Sequence, residues 1–149
     1  MRRGASVADG GSGVPRGMGL GELNQAAAEL WRELAPGSVV WLTGELGAGK
    51  TTFVQAMAAA ADAEPARSPS FALVHEYSSP HGLLVHADCY RLRDPAEALD
   101  LDFDGLMRQA RLLLIEWPEK AGEYAPPPDA HVELAHADDP EQRLLERVK

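Results

Sequence analysis

Ser38-Val39-Val40-Trp41-Leu42-Thr43 runs directly into Gly44-Glu45-Leu46-Gly47-Ala48-Gly49-Lys50-Thr51, and this junction decides the fold. The first six residues are a nearly continuous apolar run, short enough for a strand buried on both faces. The next eight match G-x-x-x-x-G-K-[ST], the phosphate-cradling P-loop pattern. In such a loop successive backbone N–H groups curl around phosphate oxygens, which calls for glycine where a Cβ would block the approach or the torsions. The lysine can bridge terminal phosphates and the Thr51 hydroxyl can ligate Mg²⁺. The following helix, expected over 51–61 with Phe53, Val54 and Met57 packed on a sheet, adds the positive end of its dipole. At a background of ~7% per glycine, an accidental match is roughly a 1% event in a chain of this length.

Working outward, Leu23, Ala26, Ala27, Leu30, Trp31 and Leu34 recur at helical spacing until Pro36-Gly37, which predicts an amphipathic helix over 22–34. Residues 1–19 are rich in Gly, Ser and small side chains and read as a flexible tail, leaving 20–149 as one P-loop domain. Downstream, 71–77 and 83–87 are β-like around Ser78-Ser79-Pro80-His81-Gly82, a β-hairpin pattern. Asp94-Pro95 reads as an N-cap with proline at the first helical position, opening a short helix toward Leu101, with a second over 103–109. Leu112-Leu113-Leu114-Ile115 is a buried strand ended by Glu116-Trp117-Pro118, and 131–135 is a further strand after the extended Pro126-Pro127-Pro128. For the last segment, a helix capped at Asp139-Pro140 competes with an edge strand over 143–148. The expected fold class is α/β, a P-loop NTPase-like three-layer sandwich with a mixed β-sheet.

Composition narrows the function. At 149 residues the chain is one domain by size. Fourteen Lys and Arg against 23 Asp and Glu give a net charge of -9, the wrong sign for gripping a nucleic-acid backbone by counterion release. No apolar run approaches the ~18 residues of a membrane span. The single cysteine, Cys89, can form no internal disulfide and is expected to be buried and inert. Met1-Arg2-Arg3 is followed by small and polar residues rather than an apolar core, so neither a Sec nor a twin-arginine signal is read and the expected location is cytoplasmic.

A P-loop ATPase also needs a carboxylate at the end of another strand, to hold the Mg²⁺ shell or orient the attacking water. Asp88, after Leu83-Leu84-Val85-His86-Ala87, and Glu116, after Leu112–Ile115, are the two candidates. Ser68-Pro69-Ser70 falls where nucleotide-sensing switch segments lie, and Ser70 can reach a metal or the γ-phosphate. Asp94, Glu97, Asp100, Asp102 and Asp104 form either a solvated face or a docking face. Arg91 and Arg93 either stabilise phosphate charge or pair with that acidic series. His75, His81, His86, His131 and His136 show no metal-ligand spacing and read as structural.

Four stretches in order, Thr43 to Phe53, Ser68-Pro69-Ser70-Phe71, His86-Ala87-Asp88-Cys89-Tyr90-Arg91-Leu92 and Glu116-Trp117-Pro118, resemble the signature series of the bacterial TsaE (YjeE) family. That resemblance implies a small ATPase, weak alone, of the pathway that installs threonylcarbamoyladenosine beside the anticodon of tRNAs reading codons that begin with A. It implies ATP and Mg²⁺ as cofactors and the TsaD and TsaB proteins as partners, with tRNA reached only through their complex. It further implies Asp88 and Glu116 as the acidic pair beside Lys50, Glu116 near the magnesium with Thr51, and Trp117 close to the nucleotide, which Gly44 through Thr52 would hold. Ser70 and Ala72 stand where the family usually shows threonine, and Cys89 where it shows leucine. Two other classes remain open at this point. A small-molecule phosphotransferase would need an acceptor pocket and an arginine-bearing lid in the roughly 85 residues after the P-loop helix. A nucleotide-responsive binding module would need the same pocket without productive hydrolysis. No Asn-Lys-x-Asp stretch of the kind that reads guanine is present.

Overall fold

Alternate residues of the central strands feed two different cores. In the strand Ser38–Thr43, Val40 and Leu42 face one side, while Val39 and Trp41 face the other. In Ala110–Glu116, Leu112 and Leu114 part in the same way from Leu113 and Ile115. Strands covered on both faces cannot carry the polar alternation of a half-exposed sheet, which is why both segments read as unbroken apolar runs. Fully buried Val, Leu and Ile side chains contribute about 1.5–3 kcal/mol each.

The computed structural model describes residues 15–64 and 73–149. The candidate switch Ser68-Pro69-Ser70, together with Phe71, Ala72 and residues 1–14, lies outside them. Among the described residues the order is β1 (Arg16–Met18), α1 (Leu20–Glu33), β2 (Ser38–Thr43), α2 (Lys50–Ala60), β3 (Val74–Ser79), β4 (Gly82–Asp88), α3 (Phe103–Gln109), β5 (Ala110–Glu116), β6 (Ala130–His136) and β7 (Arg143–Arg147). The strands form one mixed sheet in the order β1-β7-β6-β2-β5-β4-β3. β6, β2, β5 and β4 are mutually parallel, and β3, β7 and β1 run antiparallel to their neighbours. Helices α1 and α2 cover one face, with Leu23, Ala27, Leu30, Phe53 and Met57 in its core. The other face is covered by α3, contributing Phe103, and by a 3₁₀ turn over Pro95–Leu101, contributing Ala98. This is the expected three-layer α/β arrangement.

Two boundaries differ from the sequence reading. Arg16–Met18, assigned to the tail, pairs with β7 as the outermost strand on that side. The final segment is a strand, but β1 covers it, so it is not an edge. Three residues carry too little periodicity to announce a strand; Arg16–Met18 is strand because β7 offers an open hydrogen-bonding edge. The segment opened by Asp94-Pro95 is a 3₁₀ helix, its cap formed as expected: Asp94 Oδ1 accepts from the Ala96 N–H at 2.9 Å.

The same caps decide much of the acidic series. Glu97 Oε1 accepts from the Arg93 N–H at 2.6 Å and the Asp94 N–H at 3.2 Å, and Asp102 Oδ1 accepts from the Gly105 N–H at 3.2 Å. Asp94, Glu97 and Asp102 thus satisfy helix-end donors. Among the described residues no ion pair joins Arg91 or Arg93 to the series.

Candidate active site

All four parallel strands deliver residues to the same edge of the sheet, the carboxyl ends where α/β folds place their ligands. β2 leads into the loop Gly44–Gly49, and the loop opens α2. The loop's path depends on left-handed backbone: Gly44, Gly47 and Gly49 have φ of 139°, 77° and 106°. At Gly44 a Cβ would also overlap the carbonyl oxygen of Leu134 on β6, so both torsion and space exclude any side chain.

A cavity of about 530 Å³ opens over the loop. Its walls are Leu46, Gly47, Gly49, Lys50, Thr51 and Thr52 from the loop and α2, then Leu73, Asp88, Tyr90 and Arg91, then Glu116 and Trp117, and Arg143 from β7. Of the residues expected at a nucleotide site, Glu45 contributes a carbonyl to Lys50, and Ala48 is fully buried. Arg93 is not among the lining residues, whereas Arg91 is.

Lys50 is buried and folds back on its own loop, Nζ donating to the carbonyls of Gly44 at 2.6 Å and Glu45 at 2.7 Å. The indole of Trp117 lies 4.7 Å from the same nitrogen, and Tyr90 packs on that indole at 5.1 Å between ring centroids. Burial pushes the Lys50 ammonium below its ordinary value, and Glu116, Asp88 and Glu119 pull it partly back. Trp117 itself sits at φ 56°, a left-handed conformation rare for a large side chain, and heads the 3₁₀ turn Pro118–Lys120.

Glu116 ends β5 almost fully buried. Its Oε2 accepts from the Thr51 hydroxyl at 3.0 Å and lies 2.6 Å from Nε2 of His86. Burial alone would raise this carboxyl, but His86, Thr51 and Lys50 hold it below the usual carboxylate range. Asp88 ends β4 opposite Glu116 in the strand register, and its Oδ1 accepts from the Tyr90 N–H at 3.0 Å. The expected acidic pair, Lys50, Thr51 and Trp117 therefore meet around one cavity. Cys89, directly after Asp88, is fully buried with its thiol pushed up to about 12 by burial first and then by Asp88 and Glu119.

Four site residues escaped the sequence reading. His86 read as structural, yet it touches Glu116. Its signal was the spacing His86-x-Asp88: two residues apart on a strand lie on one face. Leu73, Tyr90 and Arg143 line the cavity itself. Arg143 had no local signal, because its neighbour is the loop at Gly49, reached only through the sheet order.

The profile of the family described as "Threonylcarbamoyl adenosine biosynthesis protein TsaE" matches residues 19–145. The chain belongs to the TsaE family. Relatives named as tRNA threonylcarbamoyladenosine biosynthesis proteins TsaE include that of a Nostoc species, 38% identical over 115 residues covering 74% of this chain and 70% of the relative. That of Bacillus subtilis is 34% identical over 125 residues, covering 83% of this chain and 78% of the relative. In three dimensions the chain is similar to the crystal structure of YdiB from Bacillus subtilis, with a TM-score of 0.70 and 25% identity over 92% of this chain and 88% of that one. The loop at Gly44–Thr51 and the strand ends at Asp88 and Glu116 all lie within the matched span 19–145 of the TsaE family.

Proposed function

We propose that this TsaE-family chain binds ATP with Mg²⁺ over the P-loop, hydrolyses it slowly on its own, and serves tRNA threonylcarbamoyladenosine synthesis by acting through a TsaD–TsaB complex. The observation that carries the reading is the bond from Thr51 to Glu116 beside a desolvated Lys50. Because the hydroxyl proton is spent on the carboxylate, the lone pairs of Thr51 Oγ1 remain to face a cation. The donor set is hard oxygen, which fits magnesium, and the buried carboxylate held ionised supplies counter-charge.

The residues divide the work. Loop N–H groups cradle phosphate oxygens, and Lys50, released from the Gly44 and Glu45 carbonyls, meets the terminal phosphates. Thr51 and Glu116 would hold the magnesium, which when bound neutralises charge on the phosphates. Asp88, at the neighbouring strand end and free of the Thr51 bond, is the group to orient an attacking water. Trp117 and Tyr90 shield the Lys50 side of the cavity from solvent.

A net charge of -9 supports a route to tRNA through partners rather than direct contact. The docking face would comprise the acidic series Asp94, Glu97, Asp100, Asp102 and Asp104. Asp100 tests it cleanly, since Asp94, Glu97 and Asp102 serve as caps. Titration against the TsaD–TsaB complex from the same organism should give tighter binding with ATP than with ADP, weakened by Asp100→Lys. Equal affinity with ATP, ADP and no nucleotide rejects the switch, and absence of binding in every state rejects the partner assignment.

A further inference from the structure

His86 lies beneath the acidic strand ends without lining the cavity they face. It precedes Asp88 by two residues on β4 and is the register partner of Leu114, so Glu116 is its diagonal neighbour on β5, within reach of a long side chain. The imidazole is buried, and its Nε2 stands 2.6 Å from Glu116 Oε2. A ring nitrogen that faces a carboxylate so closely is the one that carries the proton. Yet the approach is off line. The distance is that of a strong hydrogen bond, whereas the direction leaves Nε2 with no aligned acceptor among the described residues. A buried donor left so in a native fold calls for an explanation.

The ring takes its place from β3 rather than from Glu116. His75, directly opposite His86 in the register, stacks on it with centroids 5.6 Å apart and planes 26° from parallel. That stack fixes the imidazole plane, so alignment has to come from the carboxylate. Glu116 is tethered in a way that allows it: its contacts from Thr51 and from His86 both fall on Oε2, and a rotation about the last side-chain bond swings Oε1 while Oε2 stays near both partners. We infer that His86 is the positioning residue for Glu116: preset by His75, it holds Oε2 so that Oε1 turns to a magnesium ion beside Thr51, and its N–H comes into line on Oε2 when that ion is bound. This rests on the nucleotide and magnesium reading above. Hydrogen bonds at such sites are often poorly aligned before the ligand arrives and tighten in the complex. Lys50 supplies the need for a brace, because its buried ammonium also attracts Glu116, and a carboxylate turned onto it would desert the metal. A group that orients a metal-ligating side chain from behind contributes roughly ten- to hundredfold to metal affinity.

The test is calorimetric titration of ADP, with magnesium and with EDTA, into wild type, His86→Gln, His86→Leu, Glu116→Ala and the double variant His86→Leu/Glu116→Ala. Glutamine returns a side-chain N–H near the place of Nε2, and leucine fills the volume without a donor. Magnesium should tighten ADP in wild type. His86→Leu should lose about tenfold of that tightening while ADP in EDTA stays within about twofold, and His86→Gln should recover most of the loss. On Glu116→Ala, removing His86 should cost nothing further, since it acts only through the carboxylate. Equal losses with magnesium and with EDTA would make His86 plain packing and overturn the inference, as would a full extra loss in the double variant. Heteronuclear NMR of the histidine rings reads the same point in wild type alone: the His86 Nε2–H resonance should move downfield with magnesium and ADP but not with ADP in EDTA, and indifference to magnesium overturns the inference. Wild type tightened by magnesium, with His86→Leu tightened equally, keeps the metal reading and overturns this inference alone. Wild type that binds ADP no better with magnesium overturns both.

Discussion

Gly44 and Leu134 approach so closely that the carbonyl oxygen of Leu134 occupies the place of a Gly44 side chain. The loop that follows β2 is thereby seated against β6, and its shape is part of the sheet packing rather than a free turn. Gly44→Ala should cost more than about 3 kcal/mol by overlap and left-handed strain together. Gly37 is the control: its φ is +85° with no atom within 4 Å, so Gly37→Ala should cost only about 1–2 kcal/mol. Urea unfolding of the two variants checks the difference, and equal losses would show that the contact is not tight.

Glu116 gives a pH signature in the nucleotide-free protein. Its folded carboxyl lies below the ordinary 4.5. The stabilisation from ionised Glu116 is therefore present above that value and disappears as pH falls through the lowered folded value. Across about pH 6 to pH 3, wild type should lose stability relative to Glu116→Gln, with the divergence confined to the acid side of 4.5. Parallel unfolding curves would remove the carboxylate from the ledger of acid sensitivity.

The two strand-end carboxylates should separate by function. Glu116→Ala removes the acceptor of Thr51 and should weaken magnesium-dependent nucleotide binding by tenfold or more, whereas Asp88→Asn should slow hydrolysis with ATP binding within about threefold. Binding by titration and single-turnover hydrolysis tell them apart. Matching losses of binding would mean that both serve the metal.

Trp117 reports on Lys50. Phosphates that draw Nζ away from the loop carbonyls also move a cation 4.7 Å from the indole, so nucleotide should change the fluorescence. Trp31 and Trp41 emit as well. The change should vanish in Trp117→Phe, and its survival there would place the responding indole elsewhere.

Lys50→Ala should cut ATP turnover by two or more orders of magnitude. Its effect on Tm should be small, within a few degrees, because the lost bonds to the Gly44 and Glu45 carbonyls are offset by relief of a desolvated ammonium. A collapse in Tm would mark Lys50 as structural.

What the sequence disclosed follows the range of each signal. β2 and β5 were legible because strands covered on both faces must be apolar throughout, and the glycines of the loop because torsion leaves few other residues. The pairing of Glu116 with Thr51 could be anticipated once a loop and a strand end were assigned to one sheet. β1 could not, since Arg16–Met18 is a strand only because β7 is there to receive it. Arg143 was hidden for a similar reason: Arg143, Leu145 and Arg147 share a face, and they reach Gly49, the core and Glu33 of α1 in turn. A five-residue strand says nothing locally about three destinations so distant along the chain.

The position of β2 bears on how the molecule is made. Val40 pairs with Leu114 on one side and Ala130 on the other, so the strand that carries the P-loop leaves the ribosome long before either neighbour exists. At about 5–20 residues per second, its apolar backbone waits several seconds without a partner. Nascent chains stalled before residue 110 should therefore expose Val39, Val40 and Leu42 to chaperones or to one another, because neither β5 nor β6 has yet been made to pair with β2.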